Sequence, residues 1–152
     1  MKIKMLRRLL TFILLIVITA SCKKDSVDYG PIDKKIIEDY LTANSLIAKS
    51  TSSGLYYIIS APGGDIHPNI NLQVKVKYKG YLTDGTVFDQ GTITYSLSQL
   101  IKGWQEGLPL IGIGGKIKLL VPSALGYGSS SQGAAIPANS VLIFDMELLD
   151  CY

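Results

Sequence analysis

Residues 72–82 read LQVKVKYKGYL, and their alternation decides the fold class. Leu72, Val74, Val76 and Tyr78 point one way, while Gln73, Lys75, Lys77 and Lys79 point the other. A two-residue period of this kind marks an antiparallel strand with one face on a core and the other in water. The Asp84-Gly85 pair in the following TDGTVFD is suited to a hairpin turn, and ITYSL, residues 93–97, reads as a further short strand.

Outward from this hairpin, LYYIIS (55–60), KIKLLVP (116–122) and VLIFDMELLD (141–150) read as strands, which brings the count to five or six. Between them lies a single helical candidate, QLIKGWQEGL (99–108), with Ser98 as its cap and the chain's one tryptophan inside it. The segment SALGYGSSSQGAAIPANS (123–140) reads as a long loop. A series of strands enclosing one short helix predicts an α+β fold, a curved antiparallel β-sheet wrapped around that helix. No internal repeat is visible.

Upstream, PIDKKIIEDYLTANSL (31–46) sets Ile32, Ile36, Ile37, Tyr40 and Leu41 at helical spacing, with Pro31 in the first turn. KKDSVDYG (23–30) has no period and reads as a tether. The first 21 residues combine Lys2, Lys4, Arg7 and Arg8 with an apolar run from Leu9 to Ala20, which is short for a membrane span and fits a secretory signal. The expected organisation is a cleaved signal over 1–21, a tether over 22–30, an N-terminal helical extension over 31–53 and the main domain over 54–152.

The signal ends in TASC, which is similar to the lipobox of bacterial lipoproteins, with Thr19 where leucine is usual. That resemblance implies lipid attachment, such as palmitate, at Cys22. The mature chain is then expected in the cell envelope, lipid-anchored to a membrane, the outer membrane facing the periplasm or the surface being favoured. Lipidation leaves Cys151 without a disulfide partner; a bridge between Cys22 and Cys151 is the alternative. Cleavage before Cys22 removes four of the fifteen basic residues and none of the twelve acidic ones, moving the net charge from +3 to about −1. Nothing in that balance suggests nucleic acid as a partner.

Catalytic motifs are scarce. GIGGK (112–116) precedes a strand and lacks the phosphate-loop spacing, so a tight turn is the better reading. The single histidine, His67, cannot by itself build a metal site and gives little support to a Ser-His-Asp triad. Glu106 and Asp89 have no evident reason to meet as a glycosidase pair.

Read in order, VKVKYKGYLTDGTVFD, YSLSQLIKGWQEGLPLIGIGGKIKLLVP, LGYG and AAIPANSVLIFDMELLD resemble the FKBP-type peptidyl-prolyl cis-trans isomerases, over about Leu72 to Asp150. The resemblance implies isomerisation of Xaa-Pro bonds in exported polypeptides without a cofactor, with macrolides as a further ligand class. It implies that Trp104 floors an apolar pocket, that Phe88, Leu100, Ile136 and Phe144 wall it, and that the Ile101 N–H and the Tyr127 hydroxyl donate to substrate carbonyls. Asp89 at the rim needs a hydrogen bond, for which Tyr78 is the expected partner. Between Asp89 and Tyr95 the chain is shorter than in the small prototypes, so Tyr95 or Ile93 stands in for a family aromatic. Ala135 and Gln132 also depart from the prototypes. Asp89, Tyr78, Trp104, Tyr127 and Phe144 are thus the candidate catalytic residues, with Phe88, Leu100, Ile101, Ile136 and Tyr95 as candidate substrate contacts. The alternative is a catalytically weak FKBP-fold binding or chaperone module anchored to the membrane.

Overall fold

The computed structural model describes residues 27–152. The expected signal, Cys22 and its lipid, and the first part of the tether lie outside the described residues. No helix among the described residues is long and apolar enough to cross a membrane.

Helix α1 spans Gly30–Ala43, with Pro31 at its start and the Asp28 carboxylate accepting the Gly30 N–H at 3.0 Å. It begins one residue inside the expected tether and stops before Leu46. There the Asn44 side chain turns back to the Tyr40 carbonyl at 2.8 Å, and Ser45 takes a left-handed φ of 54°. Ile37 and Leu41 are buried, while Ile32 and Ile36 remain in water. Only part of the expected apolar stripe is therefore used.

The strands are β1 (Lys49–Ser50), β2 (Tyr56–Ala61), β3 (Gln73–Tyr81), β4 (Val87–Ser96), β5 (Lys116–Val121) and β6 (Leu142–Cys151). They form one six-stranded sheet in the order β1-β2-β5-β6-β3-β4, every pair antiparallel. β3 behaves as its alternation requires, with Val74 and Val76 buried and the intervening lysines exposed. The hairpin after it turns at Asp84-Gly85: Gly85 has φ 88°, and Asp84 Oδ1 accepts the Thr86 N–H at 2.8 Å. The expected separate strand ITYSL is instead the second half of β4 as far as Ser96, with Leu97 beyond it. Pairing with β3 runs continuously from Gln73 opposite Ser96 to Gly80 opposite Asp89, and so carries the strand through the polar Asp89–Thr92 stretch.

Helix α2 covers Lys102–Gly107 and lies on the inner face of the sheet, packing chiefly on β5. Ser98 does not cap it. Ser98 falls in a separate 3-10 turn, Leu97–Gln99, and Ile101 is the capping residue, its carbonyl accepting the Trp104 and Gln105 N–H groups at 3.0 and 3.1 Å. The Gln105 side chain reaches back to the Leu100 carbonyl at 2.6 Å and the Ser98 carbonyl at 3.1 Å, pinning the segment that leads into the helix.

The glycines around Trp104 let the helix approach β5 closely. A Cβ on Gly103 would come within 2.6 Å of Val121, and one on Gly107 within 2.6 Å of Leu119. Four residues apart, they form one helical face that lets α2 lie directly against β5 while the indole points elsewhere. The main core lies between α2 and the inner face and includes Val76, Trp104, Leu108, Leu119, Val121, Phe144 and Leu148.

α1 covers part of the outer face through a second cluster of Ile37, Leu41, Leu120, Val141 and Ile143. GIGGK is a tight turn leading into β5, with Gly114 at φ 81°. Its backbone donors are already committed: Gly112 to Pro62, Gly114 to Leu148 and Gly115 to Gly112. No phosphate cradle remains among them.

Candidate functional site

Four aromatic side chains from distant parts of the chain meet on the inner face. Tyr78 and Phe144 come from neighbouring strands β3 and β6, Phe88 from β4, and Trp104 from α2. Their rings contact edge to face in series: Tyr78 to Trp104 at 5.1 Å and 71°, Trp104 to Phe144 at 5.2 Å and 90°, Phe144 to Phe88 at 5.7 Å and 83°. Such pairs place the positive edge of one ring on the negative face of the next and add about 0.5–1.5 kcal/mol each beyond burial.

Gly80 makes this arrangement possible. A Cβ there would stand 2.5 Å from the Phe88 ring and 2.9 Å from that of Phe144. A glycine inside an alternating strand is the usual sequence sign of such a close approach. Gln105, which holds the Ile101 segment, left no such sign.

Trp104 is 4% exposed and its Nε1 has no hydrogen-bond partner among the described residues. Ile136 and Phe144 are buried in the same core, with Phe88, Leu100 and Ile101 half-buried against it. None of the hydrogen bonds among the described residues uses the Ile101 N–H as a donor. Ile93, half-buried, also packs on this core, whereas Tyr95 on the same strand is 50% exposed.

At the rim the Tyr78 hydroxyl donates to Asp89 Oδ2 at 2.6 Å, pairing the two as the sequence leads one to expect. Burial holds the Tyr78 proton most strongly. The hydrogen bond and charge of Asp89 add to it, with a smaller push from Tyr127, and together they raise the pKa to about 12. Asp89 is exposed and remains an acceptor for the phenol. Tyr127 lies beyond Tyr78, 39% exposed, on the loop that follows β5.

The other candidates read from the sequence are engaged elsewhere. The Ser53 hydroxyl donates to Glu106 at 2.7 and 2.9 Å, so Glu106 does not pair with Asp89. His67 Nδ1 sits 3.0 Å from the Pro109 carbonyl, and no cluster of potential metal ligands occurs among the described residues. A groove of about 760 Å³ opens on the opposite side of the sheet, over side chains such as Lys77, Lys79, Lys118 and Asp145. Its charges are largely paired, Lys118 with Asp145 at 2.5 Å and Lys116 with Glu147 at 3.8 Å. Tyr78 is the one aromatic residue on its lining and no series of rings faces it, so the inner face is the better candidate despite the groove's size.

Comparison with known proteins bears on the family of the chain. The family model for FKBP-type peptidyl-prolyl cis-trans isomerase matches residues 64–149, which include Tyr78, Phe88, Asp89, Trp104, Tyr127 and Phe144. The FKBP-type peptidyl-prolyl cis-trans isomerase FkpA of Aeromonas hydrophila is 44% identical over 137 residues, covering 86% of this chain and 49% of the relative. FkpA of Escherichia coli K12 is 38% identical over 136 residues, with the same coverage of 86% and 49%. The chain thus spans about half the length of these curated relatives.

Among solved structures, FkpA from Escherichia coli superposes with a TM-score of 0.71 at 38% identity, covering 84% of this chain and 61% of that one. A peptidyl-prolyl cis-trans isomerase from Pseudomonas syringae pv. tomato gives a TM-score of 0.69 at 27% identity, covering 83% and 98%. From the family match, these relatives and the shared fold, the chain belongs to the FKBP-type peptidyl-prolyl cis-trans isomerases.

Proposed function

We propose that this protein accelerates cis/trans exchange at Xaa-Pro bonds of exported polypeptides, by non-covalent catalysis in an apolar pocket floored by Trp104. The observation that carries the reading is the edge-to-face series Tyr78–Trp104–Phe144–Phe88. In this reading the rings form a dry floor against which a proline ring is held.

The physical argument needs no bond to break. Amide resonance sets a barrier of about 18–20 kcal/mol to rotation, and it also polarises the planar amide. In the twisted transition state much of that charge separation is gone. Transfer from water to an apolar surface therefore penalises the flat amide more than the twisted one, and each tenfold acceleration needs only about 1.4 kcal/mol of that preference.

Ile101 and Tyr127 supply the polar contacts in this reading. The Ile101 N–H, unspent among the described bonds, and the Tyr127 hydroxyl hold the carbonyls on either side of the rotating bond. Asp89, fixed by Tyr78, sets the electrostatics at the rim. Macrolides are proposed as competing occupants, with Ala135 and Gln132 leaving one wall more open.

A protease-coupled exchange assay on Xaa-Pro peptides tests the activity. Acceleration that is lost in Trp104 and Asp89 variants is the expected result. A well-folded wild-type chain with no acceleration would instead make it a binding or chaperone module.

For location, the TASC segment supports a cleaved signal and a lipid on Cys22 in the cell envelope, with the outer membrane as the proposed site. Mass spectrometry of the mature N-terminus checks this. An unmodified Cys22 would remove the anchor from the proposal.

A further inference from the structure

α1 packs on the opposite face of the sheet from the aromatic series, yet a buried polar contact runs from it to the loop that carries Tyr127. Asp33, in the first turn of α1, is 1% exposed. Its Oδ2 accepts both the backbone N–H of Ser123 at 2.8 Å and the Ser123 hydroxyl at 2.6 Å. Ser123, 2% exposed, then receives two bonds on its carbonyl, from the Gly126 N–H at 3.0 Å and the Gly128 N–H at 2.8 Å.

Gly126 and Gly128 are the residues on either side of Tyr127. The far side of the loop is tied in turn, because the Gly128 carbonyl accepts the Asn139 N–H at 2.7 Å. A carboxylate from one element thus fixes a single serine, and that serine fixes both backbone neighbours of the candidate substrate donor.

Burying a carboxylate is costly unless it is well hydrogen-bonded, and Asp33 Oδ1 has no partner among the described residues. Ile37 and Leu41 would seat the helix without it. The N-terminal turn of α1 eases the cost of the negative charge but does not require it.

We propose that Asp33 is a positioning residue: through Ser123 it sets the Tyr127 loop, and so the placement of the Tyr127 hydroxyl toward substrate. The inference rests on the reading of Tyr127 as a substrate contact. Its test therefore has one arm that is independent of activity.

In the full chain, Asp33→Ala should remove the hydrogen-exchange protection of the Gly126 and Gly128 amides. Ile37→Ala, which loosens α1 without touching the latch, should keep it. Asp33→Asn retains an acceptor oxygen and should restore much of the protection, which also covers the case that the alanine variant folds poorly.

In the exchange assay, Asp33→Ala should lower kcat/KM about fivefold, the effect of one neutral hydrogen bond. Tyr127→Phe should do the same, and the double variant should be no worse than Tyr127→Phe alone. Unchanged amide protection in folded Asp33→Ala, or losses that multiply in the double variant, would overturn the proposal. If the wild-type chain proves inactive, the isomerase reading falls and the two amides still decide whether the latch exists.

Discussion

The Tyr78 hydroxyl and the Asp89 carboxylate stand 2.6 Å apart across the β3–β4 pair, the phenol donating and the carboxylate accepting. The half-buried phenol gains an acceptor for its proton, while the carboxylate at the rim stays open to water.

This pair makes the protein sensitive to alkali in a defined window. Unfolded, Tyr78 loses its proton near its ordinary pKa of 10.0; folded, burial and Asp89 hold it to about 12. Its contribution to stability is whole below pH 10 and is lost as pH rises from there through about 12. Tyr81 is held up further still by burial and Asp145, so the near-UV absorbance difference between wild type and Tyr78→Phe isolates Tyr78: it should be a single tyrosine titrating late, and Asp89→Asn should bring it earlier. Titration of Tyr78 together with the exposed tyrosines would refute the assignment.

Removing the Asp89 charge should also cost activity. Hydrogen bonds to charged groups are worth about 1.5–3 kcal/mol, so Asp89→Asn is expected to lower kcat/KM about tenfold or more, with the fold intact by circular dichroism.

Trp104 is the only tryptophan, and its fluorescence therefore reports on this site alone. Emission in the native chain should be that of a dry indole, shifting or quenching when a proline peptide binds. Trp104→Leu should abolish most turnover. Trp104→Ala should destabilise the domain by about 3–5 kcal/mol, measured by urea unfolding.

Gly103→Ala and Gly107→Ala each force a methyl group to within 2.6 Å of a β5 side chain. Each should cost about 1–3 kcal/mol in urea unfolding. Pairing Gly103→Ala with Val121→Ala should recover part of the loss, because the second change opens the space that the first one fills.

Gly80→Ala separates packing from chemistry differently. The added methyl meets the Phe88 and Phe144 rings, so the near-UV circular dichroism and kcat/KM should both change. A variant with a normal aromatic signal and full turnover would show that the ring series can shift without consequence.

β3 was legible because its faces differ so sharply: valines on one side and lysines on the other admit one strand orientation. β4 was not, since Asp89, Gln90, Gly91 and Thr92 offer no apolar alternation and only pairing with β3 keeps them extended. Ser98 has the chemistry of a cap but falls a turn too early, where the Leu97 N–H is taken by the Leu72 carbonyl. The ring series joins residues 78, 88, 104 and 144, which no local pattern connects; the family resemblance alone indicated them together. Asp33 carries a sequence sign of its own: it stands four residues before Ile37 and eight before Leu41, a lone acid on the apolar face of α1.

The seating of α1 on the back of the sheet bears on where this chain can be cut. A fragment starting near Leu55 would keep every strand of the aromatic site, yet it would leave Leu120, Val141 and Ile143 bare to water. Oily patches of that kind invite self-association. Such a fragment should clump or bind surfaces indiscriminately, however sound its inner face.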